Sequence, residues 1–477
     1  MATRDQDVTP SGGIEPGVLV REGSYGTQVM AVEPGGAEFI PLNERHGRPI
    51  QLFWTWTSPN MEFATIFVGM LAVVVFGLGF WEAALALVLG SVIGGITQGI
   101  LSTRGPKYGV PQMVLSRLGF GYWGNILPAG LNSVTAGIGW FAVNSVSGAF
   151  ALNALLHWPK VLCLLIIVVL QVVVAFFGYN LVHAFERYAF PVLTIIFLIA
   201  SVIILSKAHP GAAHHTIPGA FLLTFGASFG YAVGWNPYAA DYTRYFKPDT
   251  SKAAIAWWSG LGVFLSCALL EVVGAAAGTV ASAVKAFDTN PTGGFTGLLA
   301  TPLADLTLLA IALGAVSANV LNIYSGALSF TALGIRLPLS LRRAIVALGF
   351  GTIGFFLAWS GLHNAGSKYE NFLLIIAYWI APWLAVTLCD WWLRPDPDET
   401  LLFDKRHTNW AGPVAMLVGM GLSIWLFSNQ TEYVGVVPSH APDVGDLTFE
   451  VGFVVTAVIY LTWHAVAGTG RERTLTA

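Results

Sequence analysis

Of the chain's 477 residues, 55% are hydrophobic and only 10% charged, against about 25% charged in ordinary soluble domains. With a mean hydropathy of +0.67, such a chain cannot cover a water-facing surface with polar groups, which excludes a soluble globular protein and implies a polytopic all-α membrane protein. A net charge of −3 gives no footing for nucleic-acid binding, and neither a nucleic acid nor a protein partner is expected.

Residues 1–48 are polar, carry charges of both signs and lack a short apolar core, so they read as a cytoplasmic tail rather than a signal peptide. Apolar runs long enough to cross about 30 Å of hydrocarbon then predict twelve transmembrane helices. They cover 50–75, 80–102, 125–155, 161–178, 187–206, 217–240, 253–282, 298–332, 343–361, 369–393, 411–428 and 449–468. The third and eighth are long enough for tilt or a break. With the N-terminus inside, 19 of the 23 Lys and Arg fall in cytoplasmic segments, leaving Lys160, Lys207, Lys285 and Lys368 outside. That asymmetry predicts both termini cytoplasmic, in a plasma-membrane protein.

Helix 1 carries WTSPNME at residues 56–62. Proline removes a backbone donor, and a carboxylate near mid-bilayer costs about 2.5–3.5 kcal/mol on the most lenient scale. Pro59, Asn60 and Glu62 therefore need a compensating role. Helix 3 contains AGIGWFAVNSVSGA, with Trp140 and Asn144 one turn apart on one face, a flat π surface beside an amide. Helix 6 contains SFGYAVGWNPYAADYTRYF, interrupted at Gly230, Gly234, Asn236 and Pro237, with Trp235 at the interruption. Paired breaks five helices apart point to an inverted repeat with a midplane site.

The division that follows is 1–48 tail, 49–206 first repeat (helices 1–5), 207–393 second repeat (helices 6–10), 394–468 two further helices, and 469–477 a cytoplasmic C-terminal tail.

Helix 7 holds Glu271 within CALLEVVGAA, and helix 8 holds Asn319 and Asn322, with Ser317 and Ser325 near, within GAVSANVLNIYSGALS. Glu62 and Glu271 are the deepest carboxylates and the candidates for reversible protonation, since desolvation favours the neutral acid. Glu82 and Asp390, near helix ends, read as interfacial, Asp305 as lying at the outer end of helix 8, and Asp241 as paired with Arg244 on the cytoplasmic side. Cys163, Cys267 and Cys389 are far apart in apolar runs and read as buried hydrophobes. No phosphate loop, zinc-protease motif or metal-spaced histidine set is present, so neither an enzyme nor a resident metal or cofactor is expected.

Taken together, FIPLNERHGRP, WTSPN, RGPKYGVPQMVLSRLGFGYWGN, GIGWFAVN, GWNPYAADYTRYF and SANVLNIYS resemble the nucleobase–cation symport family 1. This family comprises permeases for cytosine, purines, uracil, thiamine, allantoin and hydantoins, and the resemblance runs over residues 35–470. It implies a five-plus-five inverted repeat of the sodium-coupled amino-acid transporter type. It also implies a base held between Trp140 and Trp235, with Asn144, Gly234, Ser58 and either Asn319 or Asn322 around it. Glu62 stands where a hydantoin carrier has glutamine. In sodium-coupled members the ion site falls at the positions of Ser58, Met61, Gly314, Ser317 and Ala318. Ala318 replaces a hydroxyl there, which favours protons over sodium. The expectation is a secondary transporter importing cytosine or a purine with a proton. The alternatives are sodium-coupled uptake of allantoin, hydantoin, uracil or thiamine, and a sensor that binds a base without moving it.

Overall fold

The computed structural model describes residues 18–21, 26, 33, 36–175, 179–335, 339–363 and 365–467. The expected C-terminal tail and most of the first 48 residues lie outside these. Among the described residues, twelve helical units follow in chain order. Helix α1 is split into Gln51–Thr57 and Phe63–Val74, with a single 3-10 turn, Ser58–Asn60, after the first half. Then come α2 (Phe80–Ser102), α3 (Ile126–Leu156), α4 (Lys160–Ala175), α5 (Tyr179–Lys207) and α6 (Ala220–Val233). The series closes with α7 (Lys252–Gly278), α8 (Thr301–Ala332), α9 (Leu339–Gly361), α10 (Ala365–Leu393), α11 (Ala411–Phe427) and α12 (Thr448–Val466). Seven are each long and apolar enough to cross a bilayer, and α1, bent by 56°, makes an eighth.

The packing is that of two related repeats. Each of the first four helices packs on or touches its counterpart five helices later: α2 lies along α7, α3 along α8, α4 against α9, and α1 meets α6. The connections match too. Short helices link α2 to α3 (Gly105–Tyr108, Gln112–Leu115, Arg117–Phe120) and α7 to α8 (Ala281–Ala286, Pro291–Thr296). One group, α1, α2, α6 and α7, is tightly intermeshed. There a Cβ on Gly69 would strike the Glu271 carbonyl and one on Gly274 the Ile66 carbonyl, the close approach that small residues allow between helices in lipid. The other group is α3, α4, α5, α8 and α9, while α11 and α12 pack on each other beside α10.

Four expectations need correction. Helix α5 begins at Tyr179, not 187: Asn180, His183 and Glu186 recur every three residues, so as a helix they form one polar stripe, with Asn180 and Glu186 buried, whereas in the sequence they interrupt the apolar run. Helix α6 ends at Val233 rather than reaching 240. Beyond it the chain runs through consecutive tight turns, with Tyr238 N–H bonded to Trp235 O and Asp241 N–H to Tyr238 O. The two long runs also differ: α3 contains a π-helical stretch, Thr135–Trp140, whereas α8 is continuous over 32 residues. Finally, Asp390 is buried rather than interfacial, paired with Arg394 and accepting from the Tyr460 hydroxyl at 2.8 Å.

Candidate functional site

The two breaks meet. At the α1 break, Asn60 donates to Trp56 O at 2.7 Å and to Ser266 Oγ at 3.1 Å. Its side-chain oxygen accepts the indole N–H of Trp235 at 2.9 Å. Thr65 donates to the Asn60 carbonyl at 2.6 Å and touches the Tyr231 hydroxyl of α6 at 2.5 Å. Broken backbone survives at membrane depth only when its freed polar groups find partners; here Asn60 and Thr65 of α1 itself meet the freed carbonyls, and Tyr231 of α6, Trp235 beyond it and Ser266 of α7 hold those two side chains. Asn236, in the α6 break, reaches Gln98 Oε1 of α2 at 3.2 Å.

Both indoles are buried at this junction. Trp140 ends the π-helical stretch of α3, a distortion that recurs at functional sites. It packs edge-on against Tyr231 and Phe372, with centroids 5.4 and 5.1 Å apart. A Cβ on Gly234 would lie 3.0 Å from Trp140 Cζ2, so the glycine before Trp235 is what lets the α3 indole sit against the α6 break. Trp235 packs edge-on against Trp56 and Tyr238. Neither indole faces lipid.

The amides form a chain behind the indoles. Asn319 Oδ1 accepts from Asn144 at 3.1 Å and from Asn322 at 3.2 Å. Asn319 Nδ2 donates to Phe141 O at 2.9 Å and to Gln171 Oε1 of α4 at 2.8 Å. Asn322 Oδ1 accepts from the Tyr238 hydroxyl at 3.2 Å, which ties α8 to the chain just past the α6 break. Thus Asn319 is spent on joining α3, α4 and α8, whereas Asn144 and Asn322 flank it on the side of Tyr238 and Trp140. Gln171 escaped the sequence reading because a lone glutamine in an apolar run carries no pattern.

Glu62 is fully buried and caps the second half of α1: it accepts from Ala64 N–H, and its other oxygen from the Ser147 hydroxyl of α3. A carboxylate at a helix N-terminus meets the positive end of the helix dipole. Ser147 also lines a cavity of about 420 Å³ with Phe63, Phe67, Gly139 and Phe372, at the ends of α3 and α10 where the sequence places the outside. Glu271 lies inside the other helix group, its Oε2 accepting from Ser228 of α6 at 2.6 Å and Ser91 of α2 at 3.0 Å.

The five positions expected around a cation divide. The Met61 carbonyl abuts α8 so closely that a Cβ on Gly314 would collide with it, and Ser58 Oγ lies 3.1 Å from Ser317 Oγ. Ala318 is buried and brings no oxygen. One group was not foreseen at all: Glu186 of α5 accepts from both serine hydroxyls, at 2.7 Å from Ser317. The predicted Asp241–Arg244 pair is also replaced. Arg244 pairs with Glu33 of the N-terminal segment at 2.7 Å and donates to the Tyr324 hydroxyl at 2.9 Å, while Asp241 accepts from Gln112 N–H at 2.8 Å.

Residues 39–452 match the family of permeases for cytosine/purines, uracil, thiamine and allantoin. The chain belongs to this family. It is a multi-pass membrane permease and not an enzyme. It is 32% identical to the purine-cytosine permease fcyB of Emericella nidulans over 456 residues, 91% of this chain and 88% of that one. With the Saccharomyces cerevisiae purine-cytosine permease FCY2 it shares 29% over 434 residues, 85% and 80% of the two chains. Its fold is that of Mhp1, a nucleobase-cation-symport-1 transporter solved in a closed conformation with bromovinylhydantoin bound. The TM-score is 0.71 at 19% identity, covering 92% of this chain and 97% of that one.

Proposed function

We propose that this permease imports a nucleobase, cytosine or a purine, into the cell in symport with a proton, with both termini cytoplasmic. The observation that carries the reading is the junction itself: two buried indoles, Trp140 and Trp235, converge on Gly234 and Asn60 beside the amides of Asn144 and Asn322. A planar ring with donor and acceptor edges suits indole faces and amides, and the relatives named for purines and cytosine support that class of cargo.

In this reading the base enters by the cavity beside Ser147, slides between the indole faces and displaces the bonds that Asn144 and Asn322 make to Asn319. Glu62 offers its remaining lone pairs to a ring N–H. A heterocycle with the wrong edge leaves one of these buried groups unpaired, at about 1–3 kcal/mol each, which is the source of selectivity. Rocking of α1, α2, α6 and α7 against the other group then opens the site to the cytoplasm.

The test is uptake of radiolabelled cytosine into proteoliposomes, competed with a panel of unlabelled purines, uracil, allantoin, hydantoin and thiamine, with and without sodium and with a protonophore. Competition by purines and collapse under the protonophore are expected. Trp140→Ala and Asn322→Ala should each abolish uptake at normal surface levels. Uptake at normal affinity in both variants would overturn the site.

A further inference from the structure

Glu186 has no place in the cation site implied by the sequence, yet it occupies the centre of that site's polar contacts. Its Oε2 accepts from Ser58 of α1 and from Ser317 of α8, while its Oε1 is buried with no hydrogen-bond partner. Among the described residues no ion pair reaches it. The groups around it offer no fixed positive charge. On α5 the adjacent Arg187 is exposed, and one turn back on the Glu186 face stands His183, in contact with Thr55 Oγ1 and the Tyr242 ring. Helix α1 brings Glu62 alone, already held by Ser147 and Ala64. Helix α7 brings Glu271, held by Ser91 and Ser228, and Lys252, exposed at its start. From α8 come only Asp305, exposed near its start, and Tyr324, bonded to Arg244. From α4 there is Lys160, which donates to Thr289 O in the exposed connection before α8. Arg244 itself is taken up by Glu33.

A carboxylate buried at this depth is tolerable only when something neutralises it. Location supplies the second half of the argument. Ser58 belongs to the group of helices expected to rock, and Ser317 and Glu186 to the group that stays, so one carboxylate oxygen bridges the seam between them. Glu271, by contrast, touches only helices of its own group, and rocking leaves its contacts intact.

We propose that Glu186 is the acceptor of the driving cation. A monovalent cation (a proton on Oε1 in the symport reading, or a sodium ion beside it) cancels the charge, lets both serines donate to the same carboxylate and so closes the seam. Release of the cation to the cytoplasm restores the charge, draws water to the carboxylate and parts Ser58 from it. This rests on the transport reading above and assigns the ion step of that cycle to a residue of α5.

The experiment compares the full-length wild type and Glu186→Gln in proteoliposomes, following radiolabelled cytosine under an imposed pH gradient without sodium, and under a sodium gradient at equal pH. Wild type is expected to accumulate cytosine above equilibrium, and the gradient that drives it identifies the cation. Glu186→Gln, permanently neutral and of the same shape, should let cytosine equilibrate under either gradient, with the inside-to-outside ratio falling to one. Wild-type accumulation by Glu186→Gln overturns the assignment and leaves the transport reading standing, whereas no cytosine entry in wild type defeats the transport reading itself. If the glutamine variant does not reach the bilayer, Ser317→Ala carries the test. Loss of the Ser317 hydrogen bond favours the protonated acid and should lower the proton concentration for half-maximal uptake roughly tenfold, whereas loss of a serine oxygen beside a sodium ion should raise the sodium concentration by a similar factor, and an unchanged value overturns the proposal.

Discussion

The two helix 8 asparagines lie three residues apart on one face and look interchangeable in the sequence. Their surroundings separate them. Asn319 serves Asn144, Asn322, Phe141 O and Gln171 at once, so Asn319→Ala orphans several buried groups, at about 1–3 kcal/mol each. Its expected signature is a fall in thermal unfolding temperature measured in detergent, with or without cytosine. Asn322→Ala loses fewer partners and should unfold near the wild-type temperature while failing in uptake. Equal loss of stability in the two would contradict this division of labour between the asparagines. Trp140 and Trp235 were legible because tryptophan deep in an apolar run, beside a break or an amide, has few bland explanations. Glu186 was not legible, because a glutamate next to Arg187 and after a histidine looks like loop chemistry until the helix boundary is known.

Among the elements, the break in α1 carries the most information. Proline within an apolar run announces an interruption, and the structure adds how it is held: a 3-10 turn, a carboxylate cap and Asn60 bonded to both α6 and α7. The Met61 carbonyl leans on α8 at Gly314, so Gly314→Ala must push the break away from α8 by part of a methyl diameter. Uptake in that variant should fall at least tenfold with unchanged surface expression, whereas Ala318→Gly, which adds no atoms, should keep more than half of it. The helix 6 break was equally visible, but its aftermath was not. Hydropathy alone cannot tell a second half-helix from consecutive tight turns, because both bury the same apolar side chains.

For the whole molecule, the N-terminal segment does more than lead into α1. Glu33 is buried against Arg244, Tyr245 and Tyr324, and Arg21 reaches the Tyr245 hydroxyl at 2.7 Å. Removing one partner of a buried ion pair costs about 3–5 kcal/mol, so Glu33→Gln should lower the unfolding temperature more than substitution of an exposed acid such as Asp249→Asn. His46 lies in the same layer, its N–H bonded to Tyr245 O at 2.6 Å. Burial holds its imidazole below the ordinary 6.5, against a hydrogen bond from the ring to Asn180 that works the other way. The folded state therefore prefers the neutral ring. The stability it contributes is whole above the ordinary value and is lost as pH falls toward the lowered one. Thermal unfolding followed from pH 7.5 to 5 should show a decline that His46→Gln makes shallower.

Composition and the Lys/Arg distribution determine an all-helical membrane chain and its expected sidedness, because a bilayer imposes length, apolarity and charge placement on each span separately. The paired breaks and the two buried tryptophans beside them were readable for the same reason: each violates a rule that local sequence otherwise obeys. The tertiary structure alone decided which polar groups share a pocket. It joined Trp235 to Asn60, set Asn319 apart from Asn322, gave Arg244 to Glu33 and brought Glu186 between two serines 128 and 131 residues away. Those pairings depend on how helices from two repeats cross, and no spacing within one helix encodes a distance to another.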